Sequence, residues 1–233
     1  QNAVMPAAKK YGLEAKMGED GAIAQLRAAV VSRLGFDGED KNVINKAKQQ
    51  TAAYLKDPQK VDPYLAGTYL RLAAFHGDKA LLDQFMATFK TTKDPQVRTN
   101  MLAAMGYFGK PELQKAVLAY SLTDEVTASD MRTILSGQSY TDERQALFID
   151  WIYSNYDKVT ASLPPFFVPN LPYFTTASCD AESLATTQTF FDAKLDDVPG
   201  YARTLSKLAE STNDCIALKN RELKSVNSFL NSK

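Results

Sequence analysis

Apolar residues recur along the chain at intervals of three and four, the spacing that lines one face of an α-helix. Leu65, Tyr69, Leu72 and His76 form one such stripe, with Ala73 beside it, and Leu81, Leu82, Phe85, Met86 and Phe89 form the next. The series continues with Val97, Met101, Leu102 and Met105, then Leu113, Ala116, Val117 and Tyr120, then Leu147, Phe148, Trp151 and Ile152. Strand-like alternation is not found. Start signals agree with the stripes. Asp62-Pro63 and Asp94-Pro95 each place a capping carboxylate before a proline at the first helical position, where the missing amide costs no hydrogen bond. Lys110-Pro111 supplies the proline alone, while Thr141-Asp142-Glu143 and Ser178-Cys179-Asp180 supply capping or first-turn acids. Gly77, Gly106, Gly109 and Gly137 fall where helices should stop and are read as left-handed closing residues.

Between residues 21 and 156 the pattern predicts helices joined by short connections, with pairs recurring roughly every 30 to 40 residues. The expectation is an all-α fold, an α-solenoid of irregular HEAT- or armadillo-like hairpins; the plainer alternative is a generic helical bundle. A proline-rich stretch, residues 163–172, is too broken for a helix and too apolar for an exposed linker, so it reads as a packed crossing segment. Residues 180–231 read as a closing cap of three helices, over 181–195, 200–211 and 213–230. The whole chain, 1–233, is expected to form a single helical domain.

Composition removes several classes of function. Lysine and arginine together number 27, as do aspartate and glutamate, so no net field draws the chain to a phosphate backbone, and nucleic acid is not expected as a partner. No apolar run approaches the ~18 residues of a membrane span. The chain opens on Gln1, without the basic patch and apolar core of a signal segment, which suggests a removed leader or a piece of a longer protein.

Candidate chemistry is sparse. Zinc hydrolases take three protein ligands, commonly histidines with a carboxylate, and this chain has one histidine, His76, at the end of an apolar stripe. No H-E-x-x-H motif can be written, and a nucleophilic triad would have only one base. Gly35-Phe36-Asp37-Gly38 and Gly106-Tyr107-Phe108-Gly109 lack the pattern of a phosphate cradle. Acidic pairs such as Glu19-Asp20, Asp142-Glu143 and Asp196-Asp197 are explained by helix starts and solvation. No catalytic and no metal-ligating residues are assigned. The two cysteines, Cys179 and Cys215, are open to either reading, free core thiols or a bridge.

The order of several landmarks resembles the C-terminal helical domain of the aminopeptidase N family, which includes puromycin-sensitive aminopeptidase and the endoplasmic reticulum aminopeptidases. Tyr11-Gly12-Leu13, then Glu19-Asp20, then Leu26-Arg27 is similar to that family's "LG…E…LR" opening. Tyr69 to Asp78 looks like its "vy…a…gd" helix, and Val126 to Arg132 lies where the family opens a helix, often with an acid at the place of Asp130. Asp150-Trp151-Ile152 to Tyr156 is similar to "aW.fl..nw", Phe174 to Phe190-Phe191 to "f.s…v..FF", and Ala202 to Leu230 to the closing helices. Departures are Tyr156 in place of a tryptophan, and Thr127 and Ala128 where basic residues are common.

The resemblance implies a non-catalytic domain of a zinc aminopeptidase, curved as a bowl over the active site of an upstream catalytic domain that this chain does not contain. Zinc, and the glutamate that activates its water, would belong to that upstream part; this segment would hold no cofactor and be inactive alone. Its role would be to gate peptide access for removal of N-terminal residues, so its partners would be the upstream domain and peptide substrates. Asp130 and Arg132 would line the substrate chamber. The family's packing also implies a Cys179–Cys215 disulfide, and with it a periplasmic or secreted protein; free cysteines would imply a cytoplasmic one. The alternative is a stand-alone helical-repeat scaffold that binds another protein.

Overall fold

A computed structural model describes residues 3–14, 16, 18–177 and 179–232. Among these residues every regular element is helical. The chain divides into two compact units, residues 1–138 and 139–233.

The first unit holds α1 (Met5–Tyr11), α2 (Gly21–Phe36), α3 (Lys41–Lys56), α4 (Pro63–Phe75), α5 (Lys79–Thr91), α6 (Pro95–Met105), α7 (Pro111–Tyr120) and α8 (Ala128–Leu135), with a 3-10 turn at Pro58–Lys60. The starts follow the sequence signals. Asp62 accepts hydrogen bonds from the amides of Tyr64 and Leu65, and Asp94 from those of Gln96 and Val97, each beside a proline in the first turn. Alternate helices stack: α4 packs on α2 and on α6, and α6 on α8, while α3 lies against α4 and α5 against α6. The buried stripes meet along that row, with Leu70, Leu72, Ala74, Phe85, Met101, Met105, Phe108, Met131 and Ile134 excluded from solvent.

The glycines at the helix ends act differently from the sequence expectation. Positive φ among the described glycines occurs at Gly12, Gly18 and Gly200, so Gly77, Gly106, Gly109 and Gly137 are not left-handed closers. They are places where backbone must come close. A Cβ on Gly106 would lie 2.5 Å from the Ile134 carbonyl oxygen, and one on Gly109 would lie 2.5 Å from that of Phe75. Gly35 likewise admits the buried Leu72 side chain where α2 meets α4.

The second unit holds α9 (Asp142–Ser154), α10 (Tyr156–Ser162), a 3-10 segment (Val168–Phe174), α11 (Ala181–Asp192) and α12 (Tyr201–Asn231). Thr141 and Asp180 cap α9 and α11, as their sequence contexts suggest; Ser178 lies outside the described residues. The proline-rich crossing is packed: Val168, Leu171 and Pro172 are buried, and the segment lies against α11 and α12. Its carbonyls are served by threonines, since Thr175 and Thr176 hydroxyls both donate to the Pro172 carbonyl.

The two last helices expected from the sequence are one. α12 runs 31 residues without a break. Nothing between Ser211 and Asn213 stops it: neither glycine nor proline is present, Thr212 is buried, and the Ser211 hydroxyl donates to the Leu208 carbonyl within the helix. Local residues that favour caps do not end a helix whose neighbouring turns are held by packing.

Candidate functional site

The motif that opens the resemblance has a physical basis in a buried arginine. Arg27, on α2, is 1% exposed and pairs through both terminal nitrogens with the Glu19 carboxylate. One of those nitrogens also donates to the Tyr11 carbonyl at 3.1 Å. Asp20 caps α2, and the Tyr69 hydroxyl on α4 donates to the Leu13 carbonyl at 3.3 Å. Tyrosine, glutamate and arginine thus tie the irregular segment before α2 onto the helical row.

Asp130 has two tasks. At the third position of α8 it completes a reciprocal cap with Thr127, accepting from that residue's amide and hydroxyl while its own amide donates to the hydroxyl. Across to α6 it pairs with Arg98 at 2.7 Å, and the Arg98 guanidinium lies 4.0 Å from the centre of the Phe89 ring. Partial burial pushes the Asp130 carboxyl up, but the hydrogen bonds from Thr127 and Arg98 outweigh it and hold the group below the usual carboxylate range. Nearby, Lys90 pairs with Glu125 at 2.8 Å and lies over the Tyr120 ring; burial and the Glu125 carboxylate push the Tyr120 phenol well above its ordinary value.

Arg132, two residues beyond Asp130, is exposed near the end of α8. Two helical steps turn a side chain by about 200°, so the pair does not share a face. The cationic partner of Asp130 is Arg98 on α6, which the sequence reading did not single out. A signal was available: the two are separated by 32 residues, one interval of the helical pairs, which sets them on helices that stack directly.

His76 caps the end of α4, as its stripe suggests. Burial lowers its pKa, against a hydrogen bond to the Gly35 backbone that raises it, and its Nε2 is buried without a hydrogen-bond partner. Among the described residues, no three histidine, cysteine, aspartate or glutamate side chains converge to hold a metal ion. A groove of about 490 Å³ between the starts of α4 and α6 is walled by Pro58, Val61, Pro63 and Val97, with Tyr54 and Asn100 hydrogen-bonded at 2.9 Å.

Cys179 and Cys215 are joined, with Cα atoms 5.0 Å apart, so the residue before the cap of α11 is fixed to the middle of α12. Cys179 has a φ of +54°, a left-handed conformation that a residue with a Cβ adopts at a cost, and it is held there by the bridge and the capped helix that follows.

A family model described as "ERAP1-like C-terminal domain" matches residues 1–214. Aminopeptidase M1 of Arabidopsis thaliana is 27% identical over 160 residues, a match covering 66% of this chain and 18% of that protein. Aminopeptidase M1-B of Oryza sativa subsp. japonica is 24% identical over 223 residues, covering 90% of this chain and 24% of that protein. The chain therefore spans less than a quarter of the length of these relatives. No helix of the described residues is long and apolar enough to cross a membrane.

Proposed function

The chain belongs to the family of ERAP1-like C-terminal domains, and from that premise we propose that it is the non-catalytic C-terminal domain of a zinc aminopeptidase. The observation that carries the proposal is the fit of the match: a family model covering the first unit and most of the second, and relatives named as aminopeptidases in which the matched stretch is a minor share of the length. The sequence supports the division of labour, because a single histidine cannot write an H-E-x-x-H motif within these residues. Zinc would be held on polypeptide preceding Gln1, where it would supply an activated water for attack on the first peptide bond.

In this reading the helical domain covers the catalytic site. It gates entry, admitting peptides and free chain ends and excluding folded proteins. Asp130 is fixed by Thr127 and Arg98, so it would present a rigid, ionised carboxylate to a chamber, with Arg132 on a separate face of the same helix. The Cys179–Cys215 bridge supports an oxidising compartment, periplasmic or extracellular.

The coding region before Gln1 tests this directly. An H-E-x-x-H followed by a glutamate about 20 residues later supports the peptidase; an unrelated domain there overturns it in favour of a free-standing scaffold. On the full-length protein, N-terminal trimming of a short peptide but not of a folded protein with an accessible N-terminus is the expected selectivity.

A further inference from the structure

The first half of α12 is seated on its unit through Tyr201, Leu205, Leu208 and Thr212, all buried. The stripe does not end with the unit. Continuing in steps of three, four and seven, Ile216, Leu223, Val226 and Leu230 occupy the same side of the helix. Yet Leu223 is 47% exposed, Val226 48% and Leu230 62%, and Leu218 nearby is 51% exposed. The opposite side carries Arg221, Lys224 and Ser228, while Phe229, 56% exposed, lies with Leu218 on the flank of the stripe. One continuous helix thus has a single buried face for half its length, and the same face open to solvent for the other half.

We infer that residues 216–231 of α12 form the docking surface on which the remaining polypeptide of the parent protein packs, extending the wall that already covers the first half. The inference rests on the reading of the parent as a longer aminopeptidase. One further observation commits the surface to that occupant. The relatives carry more than three quarters of their length outside the matched stretch, so a large body is available to cover it. An exposed run of large apolar side chains in register with a buried one marks an interaction site rather than a tolerated surface.

Amide exchange of α12 tests the surface, measured on the full-length protein and on the 233-residue chain. Residues 217–231 should exchange roughly tenfold or more slowly in the full-length protein than in the chain alone, since docking suppresses opening of that half-helix. In the full-length protein, Leu223→Glu with Leu230→Glu should restore fast exchange, and Ser228→Glu on the opposite side should leave it slow. Equal exchange in the two wild-type proteins overturns the inference, as does a slowing that develops in the 233-residue chain alone as its concentration rises, which would assign the face to a second copy. Failure of the parent reading is seen separately, as absence of aminoacyl-coumarin hydrolysis by the full-length protein.

Discussion

Arg27 and Glu19 are locked together, the guanidinium buried and the carboxylate bonded to both of its terminal nitrogens. The pair fastens Tyr11, at the end of α1, and Glu19 to α2. A buried arginine is tolerated only while its charge is answered, so the value of Glu19 is chiefly that its loss would strand Arg27.

The pair makes stability depend on acid. Hydrogen bonding to Arg27 is the largest effect on Glu19, and it lowers the carboxyl below the ordinary glutamate value of 4.5. The contribution is therefore complete above about 4.5 and is lost as pH falls through the lower folded-state value. Glu19→Gln should lower the thermal midpoint at pH 7, and the gap from wild type should close as both are melted at progressively lower pH. A gap that stays constant to pH 2 would show that the carboxylate is not the relevant group.

His76 gives a second pH dependence, at higher pH. Burial depresses its folded-state pKa below the ordinary 6.5, so the neutral ring is favoured in the fold. The stability this neutral ring contributes is fully present above about 6.5 and is lost as pH falls through the lower folded value. Denaturant midpoints between pH 7.5 and 5 should fall in the wild type and stay flatter in His76→Gln.

The bridge between Cys179 and Cys215 closes a loop with a sequence separation of 36 residues. Chain entropy assigns such a crosslink about 4 kcal/mol. Reduction, or Cys179→Ala with Cys215→Ala, should lower the unfolding free energy of the second unit by that order in urea titrations. Titration of the denatured, unreduced chain should find no free thiol.

Close backbone approach, rather than backbone freedom, explains Gly106 and Gly109. Gly109→Ala would drive a methyl group into the Phe75 carbonyl. Overpacking of this kind costs about 1–3 kcal/mol, to be read from the shift in urea midpoint; an unchanged midpoint would mean the helix ends can separate freely.

What was legible in the sequence was local or periodic. Asp62-Pro63 and Asp94-Pro95 announce helix starts because cap and proline act within a few residues. The apolar stripes announce the buried faces, Leu72, Phe85 and Met101 among them. Tertiary choices were hidden. Asn213 reads as a helix start, yet α12 runs straight through it. Asp130 stood out by its place in a family pattern, while Arg98, its partner, is an ordinary surface-type arginine until α6 and α8 stack. The disulfide followed from resemblance alone, since two isolated cysteines carry no pairing information.

The most direct test of the account is hydrolysis of aminoacyl-coumarin substrates by two proteins at equal concentration, the full-length parent and the 233-residue chain, each with added zinc. The account predicts chelator-sensitive turnover by the parent and none above background by the chain. Turnover by the chain itself, or a parent with no aminopeptidase activity, would contradict it.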